Sequence, residues 1–138
     1  MSSEKLVIPS KIEKIEQAAE FIEKAAKKMK FNDTDVDSIV IAITEAISNA
    51  IIHANKEDDN KKVTIEIFAE NDSMITQVTD EGPGFDPGGI DNPLLPNNLL
   101  KESGRGIFIL NSLLDSVNYS FSENGTVVTM VKRLTRRK

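Results

Sequence analysis

Glu45, Asn49 and His53 follow one another at intervals of four residues in the segment TEAISNAIIHA. At α-helical spacing the three side chains leave from nearly the same face, one turn above the next. Ala46, Ile47, Ala50, Ile51 and Ile52 between them are apolar or small, which predicts a helix largely packed into a core. A carboxylate, an amide and an imidazole on a half-buried helix are costly unless something pairs with them. Taken alone, such a triplet is accounted for by the polar edge of an amphipathic helix. Three features downstream overturn that reading.

The first is DEGPGF, from Asp80 to Phe85, directly after a predicted strand; the second is SGRGIFIL, from Ser103 to Leu110, which opens a predicted helix; the third is GTVVTM, from Gly125 to Met130. Each alone is a common turn pattern. Together they have a shared chemistry. Gly82 and Gly84 let backbone approach a flat ligand with no Cβ in the way. Asp80, at a strand end, can accept a hydrogen bond from an exocyclic amine such as that of adenine. Gly104 and Gly106 leave amides free at a helix N-terminus, where phosphate oxygens bind favourably. Asn49 offers a neutral oxygen to Mg2+, a hard cation that keeps water and phosphate as its other ligands. Glu45 can orient or deprotonate a nucleophile attacking the terminal phosphate. The P-loop pattern G-x-x-x-x-G-K-[ST] is absent from the chain, so ATP would be held by a different solution.

The elements that must position these residues follow from periodicity. Glu4 to Ile8 reads as a short strand closed by Pro9. Ser10 is placed to cap a helix, with Glu13 completing a capping box, and apolar positions recur at near-helical spacing through Met29. Asn32 or Asp33 caps a second helix, which carries the ladder to about Ala54. Lys62 to Ala69 alternates as a strand, and Asn71-Asp72 turns the chain into a second, Met74 to Thr79. From Asp80 to Gly104 the chain holds four of its five prolines and five of its seven glycines, a long loop of functional character. Ile107 to Leu114 reads as a helix, and Val117 to Phe121 and Thr126 to Leu134 as strands joined around Glu123-Asn124-Gly125. The resulting β-α-α-β-β-loop-α-β-β order predicts an α+β two-layer sandwich, a mostly antiparallel sheet with two or three helices on one face.

Bulk properties bound the answer. With 138 residues, 39% hydrophobic and 28% charged, the chain is expected to form one domain over residues 1–138, with a single core. A net charge of −5 argues against direct nucleic-acid binding. The basic end KRLTRRK is short and reads as a solvated tail. Without cysteine and with one histidine, disulfides, thiolate zinc sites and multi-histidine metal sites are excluded. The N-terminus lacks an apolar h-region and no segment is read as a membrane span, so a cytoplasmic location is expected.

The order E-x-x-x-N, D-x-G-x-G, G-x-G and G-T-x-x-T, running from Ile41 to Met130, resembles the boxes of the GHKL (Bergerat-fold) ATPases. The resemblance implies ATP and Mg2+ as cofactors. It assigns Glu45 as general base, Asn49 as magnesium ligand and Asp80 as the adenine-reading aspartate. Gly82 and Gly84 then lie beside the base, Gly104 and Gly106 beside the phosphates, and Thr129 backs the aspartate. The segment at about 86–103, with its PLLPNN stretch, corresponds to the ATP lid. Large extra domains are not expected in 138 residues, and His53 lies inside the ladder rather than on a dimerisation helix, so the chain is similar to the anti-sigma factor serine kinases (RsbW/SpoIIAB-like). That group implies a kinase that holds a sigma factor inactive, phosphorylates a serine on a STAS-domain anti-anti-sigma protein, and forms a homodimer.

His53 reads either as a phosphate-side group or as a satisfied polar residue at the helix end. Arg105 either steadies the terminal phosphate as charge develops or is an exposed lid residue, and Lys101 reads as a solvated charge. Two rival functions stay open: an ATP-binding interaction module without significant kinase activity, and an ATPase whose nucleophile is water.

Overall fold

The computed structural model describes residues 3–82, 110, 112–122 and 125–134. Five strands form one antiparallel sheet: β1 (Ser3–Pro9), β2 (Lys62–Glu70), β3 (Ser73–Thr79), β4 (Ser116–Ser122) and β5 (Gly125–Arg133), in the spatial order β1-β2-β3-β5-β4. Two helices, α1 (Ile15–Lys28, preceded by a 3-10 turn at Ile12–Lys14) and α2 (Asp33–Asn49), separate β1 from β2. A π turn, Ala50–Ala54, continues α2 without a break. This is the α+β sandwich expected, with every strand pair antiparallel.

The core lies between the helices and one sheet face. Ala18, Ile22, Ala25 and Ala26 of α1 and Val36, Ile39, Ala42, Ile43, Ala46 and Ile47 of α2 are buried. They meet Val63, Ile65 and Ile67 of β2, Met74 and Val78 of β3, and Val128 and Met130 of β5. Alternation sends the strand residues between these to the other face. Trimming any one of the buried isoleucines to valine would cost about 1 kcal/mol.

Local chemistry sets the boundaries. Asn32 Oδ1 accepts from the Asp35 N–H at 2.7 Å, capping α2 as its sequence suggests. Asn71, at φ 55°, takes the left-handed turn position of the β2–β3 hairpin, which asparagine tolerates. The β4–β5 hairpin closes with Ser122 opposite Gly125; Glu123 and Asn124 of its expected turn lie outside the described residues. Of the expected helix at Ile107 to Leu114, the described part has the Leu114 N–H donating to the Leu110 carbonyl at 3.1 Å, an α-helical bond.

Two sequence expectations are corrected. Ser10 does not cap α1: its hydroxyl donates to the Lys61 carbonyl at 2.7 Å and the residue is fully buried. The polar contact across the fold outcompetes the local box. The segment Asp33–Ala54, at 22 residues, is also long and apolar enough to match a membrane span by length and composition. Its apolar face is spent on the core, as the buried residues of α2 show.

Candidate functional site

Asp80 follows β3 directly and is buried to 7% exposure. It is gripped by backbone. Its own N–H donates to the Thr126 carbonyl at 3.0 Å. Its Oδ1 accepts from the N–H of Gly82 and from that of Thr126, each at 3.0 Å. Among the described residues, both of those bonds fall on one carboxylate oxygen. Burial pushes the Asp80 carboxyl above its ordinary range, while the Gly82 and Thr126 amides and the Lys61 charge pull the other way. A buried carboxylate fixed by backbone at a strand end is a preorganised hydrogen-bond acceptor.

Two glycines make room around it. A Cβ on Gly82 would lie 2.5 Å from the Ala54 carbonyl oxygen, so the strip after Asp80 rests against the end of the π turn. Gly125 sits at φ +151°, and a Cβ there would collide with the Asp80 carbonyl oxygen. Only glycine allows β5 to start this close to Asp80.

The ladder lies on the same helical run. Glu45 and Asn49 are half-buried in the last two turns of α2, and His53 is half-buried in the π turn. The π winding begins directly after Asn49, so His53 leaves the regular α repeat that relates Glu45 to Asn49. Such turns inside long helices are frequent at functional sites. Gly82 against Ala54 joins this run to Asp80, so the structure brings the ladder helix, the Asp80–Gly82 strip and the start of β5 together at one end of the sheet. Gly84, Gly104, Arg105, Gly106, Lys101 and the expected lid at 86–103 lie outside the described residues.

Thr129 is not brought to Asp80. It sits opposite Gln77, whose amide donates to its hydroxyl at 3.3 Å. Thr126, three residues earlier and therefore on the opposite face, is the buried threonine beside the carboxylate. Both threonines stand in the same GTVVTM box; the odd separation was the signal that could have decided between them.

Asn55 is a residue that sequence reasoning missed. It is fully buried. Its Oδ1 accepts from the Glu81 N–H at 2.9 Å, and its Nδ2 donates to Ser10 Oγ at 2.9 Å and to the Lys62 carbonyl at 3.1 Å. Adjacent KEDDNKK made it look like the start of a solvated loop.

Among the described residues there is no group of three or more His, Cys, Asp or Glu able to hold a metal. A single Asn49 oxygen fits a cation that takes most of its ligands from phosphate and water.

Residues 8–132 match the histidine kinase-like ATPase domain family, and the chain belongs to it. Within that family it falls with the RsbW serine-protein kinases. The chain is 32% identical to serine-protein kinase RsbW of Bacillus subtilis over 79% of its own length and 71% of that protein. It is 30% identical to the Halalkalibacterium halodurans RsbW over 95% of its length and 83% of that protein. In structure it is similar to the RsbU and RsbW domains of a Mycobacterium tuberculosis protein, at TM-score 0.73 and 16% identity, over 99% of this chain and 34% of that one. The catalytic domain of histidine kinase ThkA matches at TM-score 0.55 and 18% identity over 97% of each chain. These two likenesses speak for the fold; the RsbW relatives make the chain an ATP-using protein serine kinase.

Proposed function

We propose that the chain is an anti-sigma factor that switches partners: a sigma factor is bound and held inactive, and a STAS-domain anti-anti-sigma protein is phosphorylated on a serine and released. The observation that carries this is the buried Asp80 carboxylate, fixed by Gly82 and Thr126 and set against the end of the helix bearing Glu45 and Asn49. Kinship with RsbW kinases supplies the partner class. Asp80 accepts the exocyclic amine of adenine, and Gly82 lets the base lie close to backbone. Asn49 would hold Mg2+, which, when bound, offsets phosphate charge. By their place in the family's motifs Gly84, Gly104 and Gly106 are assigned to nucleotide binding, and Arg105 and His53 are the phosphate-side candidates.

Glu45 accepts the proton of the partner's serine hydroxyl as the serine oxygen bonds to the terminal phosphorus and the bond to ADP breaks. Transfer of this kind depends mostly on positioning and charge stabilisation. A homodimer in the cytoplasm is the assembly this reading entails.

The test is transfer of labelled γ-phosphate from Mg-ATP to STAS-domain proteins of the same organism, with Glu45→Ala as control. Label on one partner's serine, lost in the variant, supports the kinase and names its pathway. Label released as free phosphate makes water the nucleophile. ATP binding without any transfer makes the chain a sequestering module that uses nucleotide to set its shape.

A further inference from the structure

We propose that Asn55 is a positioning residue that sets the purine end of the nucleotide site against its phosphate end, and so fixes the preference for adenine. The inference rests on the assignment of Asp80 to the purine. Asn55 belongs to both ends at once. Its backbone N–H donates to the Ala50 carbonyl at 2.9 Å, which makes it the closing residue of the π turn that follows Asn49. Its side chain reaches the opposite way, accepting from the Glu81 N–H one residue beyond Asp80.

All the amide's principal valences are used. One oxygen takes Glu81, and the two N–H groups go to Ser10 Oγ and the Lys62 carbonyl. The orientation of the amide is dictated by its partners, since the Glu81 N–H can only donate and the Lys62 carbonyl can only accept. A ring then closes without a gap: the Lys62 N–H donates to Glu81 Oε1 at 3.1 Å. Ser10 Oγ passes the chain on to the Lys61 carbonyl. Glu81 itself is exposed, so its backbone position is set by these bonds rather than by packing. Gly82 rests against Ala54, and the bond from Glu81 to Asn55 adds a directional fastening between the strip bearing Asp80 and the end of the ladder helix.

A carboxylate tells adenine from guanine by where it stands relative to the ring edge, so loosening this fastening should relax discrimination before it abolishes binding. Asn55→Leu removes the acceptor and both donors at similar volume. Asn55→Asp keeps an oxygen for Glu81 and loses the donors to Ser10 and Lys62. Affinities for ATP and GTP are measured for the full chain and both variants well below their melting temperatures.

The expected result is an ATP affinity about tenfold lower in Asn55→Leu, on the scale of one buried hydrogen bond. Its ATP-to-GTP ratio should fall with it. Asn55→Asp should keep the wild-type ratio, although both variants melt earlier. Wild-type affinity and ratio in a folded Asn55→Leu overturn the proposal, as does an equal loss in the two variants that tracks melting temperature. Should Asn55→Leu not fold, amide hydrogen exchange of Glu81 in the nucleotide-free wild type decides: slow exchange supports the fastening, and exchange as fast as in an exposed loop overturns it. A wild-type chain that binds ATP and GTP equally removes the purine role of Asp80 itself, which separates that failure from this one.

Discussion

Asp80 and Thr126 bond to each other twice, N–H to carbonyl in one direction and N–H to carboxylate in the other, each at 3.0 Å. The partners lie 46 positions apart in the chain. The pair anchors the start of β5 to the end of β3 and fixes the carboxylate before any ligand arrives.

Asp80→Asn should therefore separate binding from stability. The asparagine oxygen can still accept from Gly82 and Thr126, but its other side is a donor, mismatched to an exocyclic amine. ATP affinity is expected to fall at least tenfold, while the melting temperature does not fall. Isothermal titration and thermal unfolding on one preparation check both halves.

The same residue gives a pH dependence whose sign is fixed by its burial. The folded carboxyl is raised above its ordinary 3.8, so the folded chain holds this proton where the unfolded chain has released it. Asp80's contribution to stability is therefore present at low pH and is lost as pH rises from about the ordinary value through the raised one. The difference in unfolding free energy between wild type and Asp80→Asn should change in that acidic window and level off above it. Denaturant melts at intervals from pH 3.5 to 7 would follow it.

Among the described residues, Thr76 has a buried hydroxyl with no hydrogen-bond partner. Its neighbours across the sheet are Ile67 and Met130. Replacing it with valine removes a dehydrated polar atom at nearly the same shape. Thr76→Val should stabilise the fold by about 1 kcal/mol without altering ATP affinity, as a denaturation midpoint beside a nucleotide titration would establish.

Gly125→Ala should be costly in a different way. The left-handed backbone and the close Asp80 carbonyl together predict a loss of about 2 kcal/mol or more. Nucleotide affinity should drop with it, because the displaced group is Asp80, the residue proposed above to read the base. Gly125→Ser should behave the same, and a variant with unchanged melting and unchanged ATP binding would contradict the packing described.

Thr129→Val offers the contrast. Its hydroxyl meets Gln77 on the sheet face away from the core, so ATP affinity should stay within about twofold of wild type, a change below one hydrogen bond's worth. A tenfold loss would return Thr129 to the site.

Periodicity made the sheet and the two long helices legible, because Val63, Ile65 and Ile67 alternate and the α2 isoleucines recur at helical spacing. The DEGPGF box marked Asp80 as a candidate, and the fold shows that carboxylate buried and held by backbone at the end of β3. What stayed hidden depends on contacts between distant segments. Ser10 has the sequence of a cap but spends its hydroxyl on Lys61. Asn55 stands at the edge of a polar run, and only the fold reveals that it is enclosed. The π turn leaves no mark in the residue pattern, and the choice of Thr126 over Thr129 hangs on which face of β5 is inward.

Among the described strands β5 comes last in the sequence, yet it lies inside the sheet with β3 on one side and β4 on the other. A chain emerging from the ribosome therefore shows an open β3 edge until its final strand arrives, and open edges invite pairing with other chains. Asp80 waits for the same event, since Thr126 comes with β5. The arrangement around Asp80 is thus complete only once β5 has been made, and a product that stops before β5 can neither close its sheet nor fix the carboxylate.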